Sequence, residues 1–134
     1  MQFINSNKIR NSINEAGAKQ TPFFFTIDYE MEEGLFIEHP TNQTEVLFQF
    51  NGDGNKPSEP VSAIEATMTT NPISEEAYNV KFKVIQKGLN SGEIDVANLT
   101  IKTPIETNIS CREIFLRSQS PYQVYIPDRY VSFS

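Results

Sequence analysis

The chain has 134 residues, a formal net charge of −6 and one cysteine. That length fits one domain. The acidic balance, with neither a basic patch nor a basic stripe, argues against nucleic acid or an anionic membrane as partner, and a lone Cys111 excludes an intrachain disulfide framework.

Residues 3–18 carry Phe3, Ile9, Ile13 and Ala16 at helical spacing, with Gly17 where a helix would end. From Pro22 the period changes. Phe23, Phe25, Ile27, Tyr29 and Met31 alternate with Phe24, Thr26, Asp28 and Glu30, which reads as a half-buried strand over 22–31. Gly34 breaks the pattern. Leu35-Phe36-Ile37 then forms a short strand, and Glu45 to Asn51 alternates again with Val46, Phe48 and Phe50 on one side.

Asn51-Gly52-Asp53-Gly54-Asn55-Lys56-Pro57 is the strongest turn signal. Residues 64–69 read as an edge strand. Ser74 is a good N-cap, and Glu75 and Glu76 place negative charge where a helix dipole favours it. Tyr78, Phe82, Ile85 and Leu89 make an apolar stripe, Gly88 must be offset by packing, and Gly92 supplies a left-handed exit.

Glu93 to Lys102 alternates Ala97, Leu99 and Ile101 against Val96, Asn98 and Thr100, a strand ended by Pro104. Ser110 and Glu113 have capping-box spacing for a helix to about Ser118, offering Ile114, Phe115 and Leu116 for burial. Tyr122–Ile126 and Tyr130–Phe133 flank a Pro127-Asp128-Arg129 turn, a hairpin. Ten Phe, five Tyr and no Trp fit a sheet with a well-buried face. The expected class is α+β, a mainly antiparallel sheet with two or three helices.

Several residues could carry chemistry. Asp28, Glu30, Glu32 and Glu33 form the densest acidic group, with Asp28 and Glu30 on one strand face where they could meet a cation; charges on the polar side of a strand are more commonly just solvated. Glu106 after Pro104 is a similar loop candidate. His39, the single histidine, sits beside Pro40 without a nucleophile-turn pattern and reads as a surface residue. Cys111, one position past an N-cap, reads as a partly buried structural thiol in preference to a reactive one. Asn98 is the one residue read as substrate- or cavity-lining: on a central strand it must find partners or face a cavity, unless neighbouring backbone satisfies it. No catalytic residue and no metal ligand is expected in the chain. No apolar run approaches a membrane span, and Met1–Lys8 holds no signal-peptide core, so a cytoplasmic location is expected.

Pro22-Phe23-Phe24-Phe25-Thr26-Ile27-Asp28-Tyr29-Glu30-Met31, Phe48-Gln49-Phe50-Asn51-Gly52, the helix running into Gly92-Glu93, and the closing hairpin resemble, in that order, the chorismate-utilising enzymes. The likeness is greatest to the short aminodeoxychorismate synthase component I (para-aminobenzoate synthase component I). Gly92, Glu93, Asn98 and Leu99 match the family's helix-to-strand passage, while Asp95 stands where an aromatic is usual and Val96 where Gln is frequent.

The resemblance implies part of that family's sandwich and amination of chorismate to 4-amino-4-deoxychorismate in para-aminobenzoate and folate biosynthesis. It also implies Mg²⁺ held by carboxylates in the full-length enzyme and ammonia from a glutamine amidotransferase subunit. The family's Pro-(Ile/Met)-Lys-Gly-Thr segment and its Glu-rich metal helix lie beyond the part matching Ser132-Phe133-Ser134. Residues 1–134 are therefore expected to be a single amino-terminal fragment or domain of a longer chorismate-binding enzyme, inactive alone and without its own cofactor. Its expected partners are the remainder of the parent polypeptide and a second copy through self-association. The alternatives are a stand-alone non-catalytic binding module sharing the sheet, or the equivalent part of an anthranilate synthase component I.

Overall fold

The structure, a computed structural model, describes residues 2–134. Its elements are β1 (Ile4–Asn5), α1 (Ser6–Ala18), β2 (Phe23–Ile27), β3 (Glu33–Glu38), a 3-10 turn (Pro40–Asn42), β4 (Leu47–Phe50), β5 (Asp53–Gly54), β6 (Met68–Thr70), α2 (Glu75–Ser91), β7 (Ile105–Thr107), α3 (Cys111–Arg117), β8 (Tyr122–Ile126) and β9 (Tyr130–Phe133). Every strand pair is antiparallel, so the α+β class with a mainly antiparallel arrangement holds. The chain divides into two compact units, Met1–Ala63 with Ser110–Ser134, and Ile64–Ile109.

The first unit is layered. A three-stranded sheet ordered β1-β3-β2 faces a four-stranded sheet ordered β5-β4-β8-β9. Phe24 and Leu35 from the first meet Val46, Phe48 and Ile126 from the second in one core, with the Phe24 and Phe48 rings stacked at 5.3 Å. Ile9 and Ala16 of α1 are fully buried on the outer face of the first sheet. On the outer face of the second, Phe115 of α3 is fully buried with its ring 6.3 Å from that of Tyr125.

Three expectations for this unit are corrected. The first helix begins at Ser6, not Phe3, because Ile4 and Asn5 pair with Gly34 and Glu33 and the Asn5 side chain caps the helix through the Asn7 N–H at 2.9 Å. Gly17 stays inside it, and Gln20 makes the left-handed exit. The strand expected over 22–31 stops at Ile27, and its phase is reversed: Phe24 is the buried residue, while Phe25 and Ile27 are exposed. With every strand position but one apolar, alternation alone cannot tell which face meets the second sheet. Gly34, read as a break, lies buried within β3 beside Ile9.

Elsewhere the turn chemistry behaves as expected. Asn51 and Gly52 both adopt positive φ in the β4–β5 turn, the geometry a tight hairpin requires. Ser110 and Glu113 close the capping box on α3, with the Glu113 N–H donating to Ser110 Oγ at 3.1 Å. Gln123 to Ile126 pair with Phe133 to Tyr130 in the final hairpin.

The second unit holds α2 and the β6–β7 pair. Ser74 caps α2, accepting from the Ala77 N–H at 3.2 Å, and Gly92 ends it at φ 72°. Gly88 is explained: the Ile94 side chain lies directly over it, while its carbonyl accepts from the Glu93 and Ile94 N–H groups. Two expectations fail. No residue of α2 is buried, and Tyr78, Phe82 and Leu89 remain exposed. The strand expected over 93–102 is absent; Ile105–Thr107 pairs with Met68–Thr70 instead, so Pro104 precedes a strand rather than ending one. Alternation specifies a strand only where a partner edge exists, and β6 offers its edge to β7.

Candidate functional site

The β4–β5 hairpin delivers Lys56 to the outer face of the second sheet. Its position is set by Asn55, whose main-chain N–H donates to the Phe48 carbonyl at 3.0 Å. The Asn55 side chain accepts from the Phe48 N–H at 2.9 Å and donates to the carbonyls of Val46 at 2.8 Å and Gln43 at 2.9 Å. Gln43 braces the same stretch, donating to Val46 O and accepting from the Glu45 and Val46 N–H groups. Replacing Asn55 with alanine strands several of these main-chain groups and is expected to cost about 2 kcal/mol or more. A thermal midpoint within a degree of the parent protein would contradict that role.

Gln49 and Gln123 stand directly opposite each other on β4 and β8, on the face that α3 covers. Gln123 is only 2% exposed, so its amide must be fully paired. In the orientation that satisfies its surroundings, its nitrogen donates to the Phe115 carbonyl at 3.0 Å and its oxygen accepts from Lys56 Nζ at 2.9 Å, with the Gln49 amide 3.1 Å away. Lys56 Nζ also donates to the Ser118 carbonyl at 2.7 Å and lies 5.4 Å from the centre of the Phe115 ring. Ser118 is the C-cap of α3, where the helix dipole favours a cation. Partial desolvation holds the Lys56 pKa below the ordinary lysine value.

Beside this network lies a cleft of about 370 Å³ lined by Gln49, Gly52, Gly54, Lys56, Pro57 and Ser58. Ser58 has no imidazole beside it in the lining, because His39, the single histidine, stands exposed at φ 46° ahead of the 3-10 turn.

None of the sequence-based candidates lines this cleft. Asp28 does not share a strand face with Glu30; β2 has already ended, and the Asp28 carboxylate closes the turn into β3 by accepting from the Glu32 N–H at 2.7 Å and the Glu33 N–H at 3.3 Å. Glu106 lies in β7, not a loop, opposite Thr69. Cys111 is exposed, which corrects the partly buried thiol. Asn98 is exposed in a stretch without regular structure rather than on a central strand. Among the described residues, no three His, Cys, Asp or Glu side chains gather closely enough to hold a metal ion. Also among the described residues, no helix is long and apolar enough to cross a membrane.

Sequence reasoning missed Lys56, Gln49 and Gln123. A usable signal existed: each glutamine interrupts an otherwise apolar or aromatic strand, and two such interruptions in facing strands mark a buried polar pair.

The chain is similar to proteins of the PabA-like class. One is the "Uncharacterized PabA-like protein" of Haemophilus influenzae, 33% identical over 123 residues, which are 90% of this chain and 37% of that protein. Another is the PabA-like protein of Pasteurella multocida, 34% identical over 130 residues, 90% of this chain and 38% of that protein. The chain thus spans less than two fifths of the length of these curated relatives. No family profile matches it, and no solved structure does.

Proposed function

We propose that this chain is the amino-terminal scaffold part of an aminodeoxychorismate synthase component I, the cytoplasmic enzyme that aminates chorismate to 4-amino-4-deoxychorismate on the way to para-aminobenzoate. The observation that carries this reading is the similarity along 90% of the chain to PabA-like proteins of which it covers only 37–38%. The ordered likeness of the segments from Pro22 onward to component I sequences supports it, and the PabA-like names are compatible with para-aminobenzoate synthesis. In that role the paired sheets of the first unit form part of the framework around a chorismate site whose reactive groups and Mg²⁺ ligands belong to the rest of the polypeptide. Ammonia comes from a glutamine amidotransferase partner. Asn98 is then a residue facing that site once the remainder of the protein is in place.

The coding sequence downstream of Ser134 tests this. Continuation into Pro-Glu and a Lys-Gly-Thr segment is the expected result; a stop codon there would leave the stand-alone binding module as the better reading.

The surface of α2 supports the same proposal. Besides Tyr78, Phe82 and Leu89, it exposes Val80 at 67% and Val84 at 70% on its other side. A helix apolar on two sides belongs between two layers. The isolated 134-residue chain is therefore expected to self-associate through this helix, read as a mass above the monomer by light scattering. A monodisperse monomer at high concentration would argue against an uncovered face.

A further inference from the structure

We propose that the cleft beside Lys56 is a binding site for a small carboxylate, with the ligand's anionic end on the Lys56 ammonium. An ammonium has three donors. Two are used inward, on the Ser118 carbonyl at 2.7 Å and the Gln123 amide oxygen at 2.9 Å, which leaves one for the cleft that Lys56 lines. Among the described residues no carboxylate pairs with it. Glu59, three positions along, is held by Arg112 at 3.1 Å.

A partly desolvated cation without a counter-ion is an unfavourable arrangement that an incoming anion relieves. The side chain is also fixed beforehand, by two hydrogen bonds and the Phe115 ring, so little ordering remains to be done on binding.

The rest of the lining selects the class. The Gln49 amide, the Ser58 hydroxyl and the main chain of Gly52 and Gly54 are polar and uncharged, so one lysine matches one negative charge. A phosphate dianion would carry surplus charge into a chain of net charge −6. Gly54 keeps this wall bare: at φ 156° an added Cβ would run into the Phe48 carbonyl and lie 2.9 Å from the Gln49 Cα. The volume, about 370 Å³, lies toward the small end of ligand pockets. This inference concerns the first unit alone and stands whether or not the proposed scaffold role does.

Ligand-observed saturation-transfer NMR on the 134-residue chain at micromolar concentration provides the test, with propionate as probe, propionamide as its uncharged counterpart and inorganic phosphate as competitor. Propionate is expected to bind at least about tenfold more tightly than propionamide, the range for a charged hydrogen bond. Lys56→Met, checked for folding by circular dichroism, is expected to remove that difference. Ser58→Leu, which fills the cleft and leaves the lysine in place, is expected to abolish binding, and it decides the matter if Lys56→Met does not fold. Equal binding of propionate and propionamide would overturn the site, as would unchanged propionate binding in a folded Lys56→Met or in Ser58→Leu. Phosphate displacing propionate at lower concentration would overturn the carboxylate class.

Discussion

Phe115→Ala is expected to cost about 3–5 kcal/mol, the range for emptying a fully buried phenylalanine site. Its ring is 0% exposed, lies against Tyr125 and under the Lys56 ammonium. It is also the only fully buried side chain that α3 contributes. A seven-residue helix has little stability of its own, so the loss falls on the docking of α3 as well as on the cavity. Set against the 5–15 kcal/mol typical of a domain, that is a large share of the stability of the first unit. Urea denaturation followed by far-UV circular dichroism measures it; a midpoint lowered by less than about 1 kcal/mol equivalent would mean the outer layer does not depend on this ring. Phe115→Leu, which refills most of the volume, is expected to recover more than half of the loss.

Gly34→Ala acts by the opposite route. At this position α1 comes down on the first sheet. A Cβ would strike the Thr26 carbonyl and lie 2.9 Å from both the Ile27 Cα and the Ile9 Cδ1. Ile9 is fully buried, and the other two atoms are main chain of the neighbouring strand, so nothing nearby is free to give way. The expected loss is about 3 kcal/mol or more, the upper part of the range for overpacking, seen as a thermal midpoint lower by roughly 10 °C. An unchanged midpoint would show that β2 and β3 can separate locally without consequence. Gly17→Ala, where an added Cβ meets nothing within 4 Å, is the control and is expected to be neutral or slightly stabilising.

These two positions show which parts of the fold were legible in the sequence. Local chemistry is legible at several points where a residue acts on its own backbone, though the Asn5 cap and the Asp28 turn are not among them. The Ser74 and Ser110 caps, the Gly92 exit and the Asn51-Gly52 turn occur where their residue types place them. What else failed depends on a partner distant in sequence. The inward face of β2 could not be chosen from Phe23-Phe24-Phe25, because either phase presents phenylalanine. Gly34 looked like an interruption and is instead a contact point, a distinction that needs Ile9 in view. The run from Glu93 to Lys102 alternates well yet forms no strand, because no strand of its own unit pairs with it.

The candidate site was less legible still. Lys56 looked like one more polar residue in a turn, and its significance comes from Gln123 and Ser118, more than sixty residues away in the chain. Acidic clusters such as Asp28 to Glu33, and a polar residue such as Asn98 in an alternating run, are visible in one dimension. A lysine held by a helix C-terminus and a buried glutamine is visible only in three.

In the proposed scaffold role these residues frame a reaction whose chemical groups belong to a longer polypeptide. The direct measurement incubates the 134-residue chain, and separately the full open reading frame that contains it, with chorismate, Mg²⁺ and ammonium, and follows 4-amino-4-deoxychorismate by mass spectrometry. Product is expected from the longer polypeptide and none from the 134-residue chain above a protein-free control. Turnover by the 134-residue chain itself, or none by a folded full-length protein with ammonium and Mg²⁺ present, would contradict it.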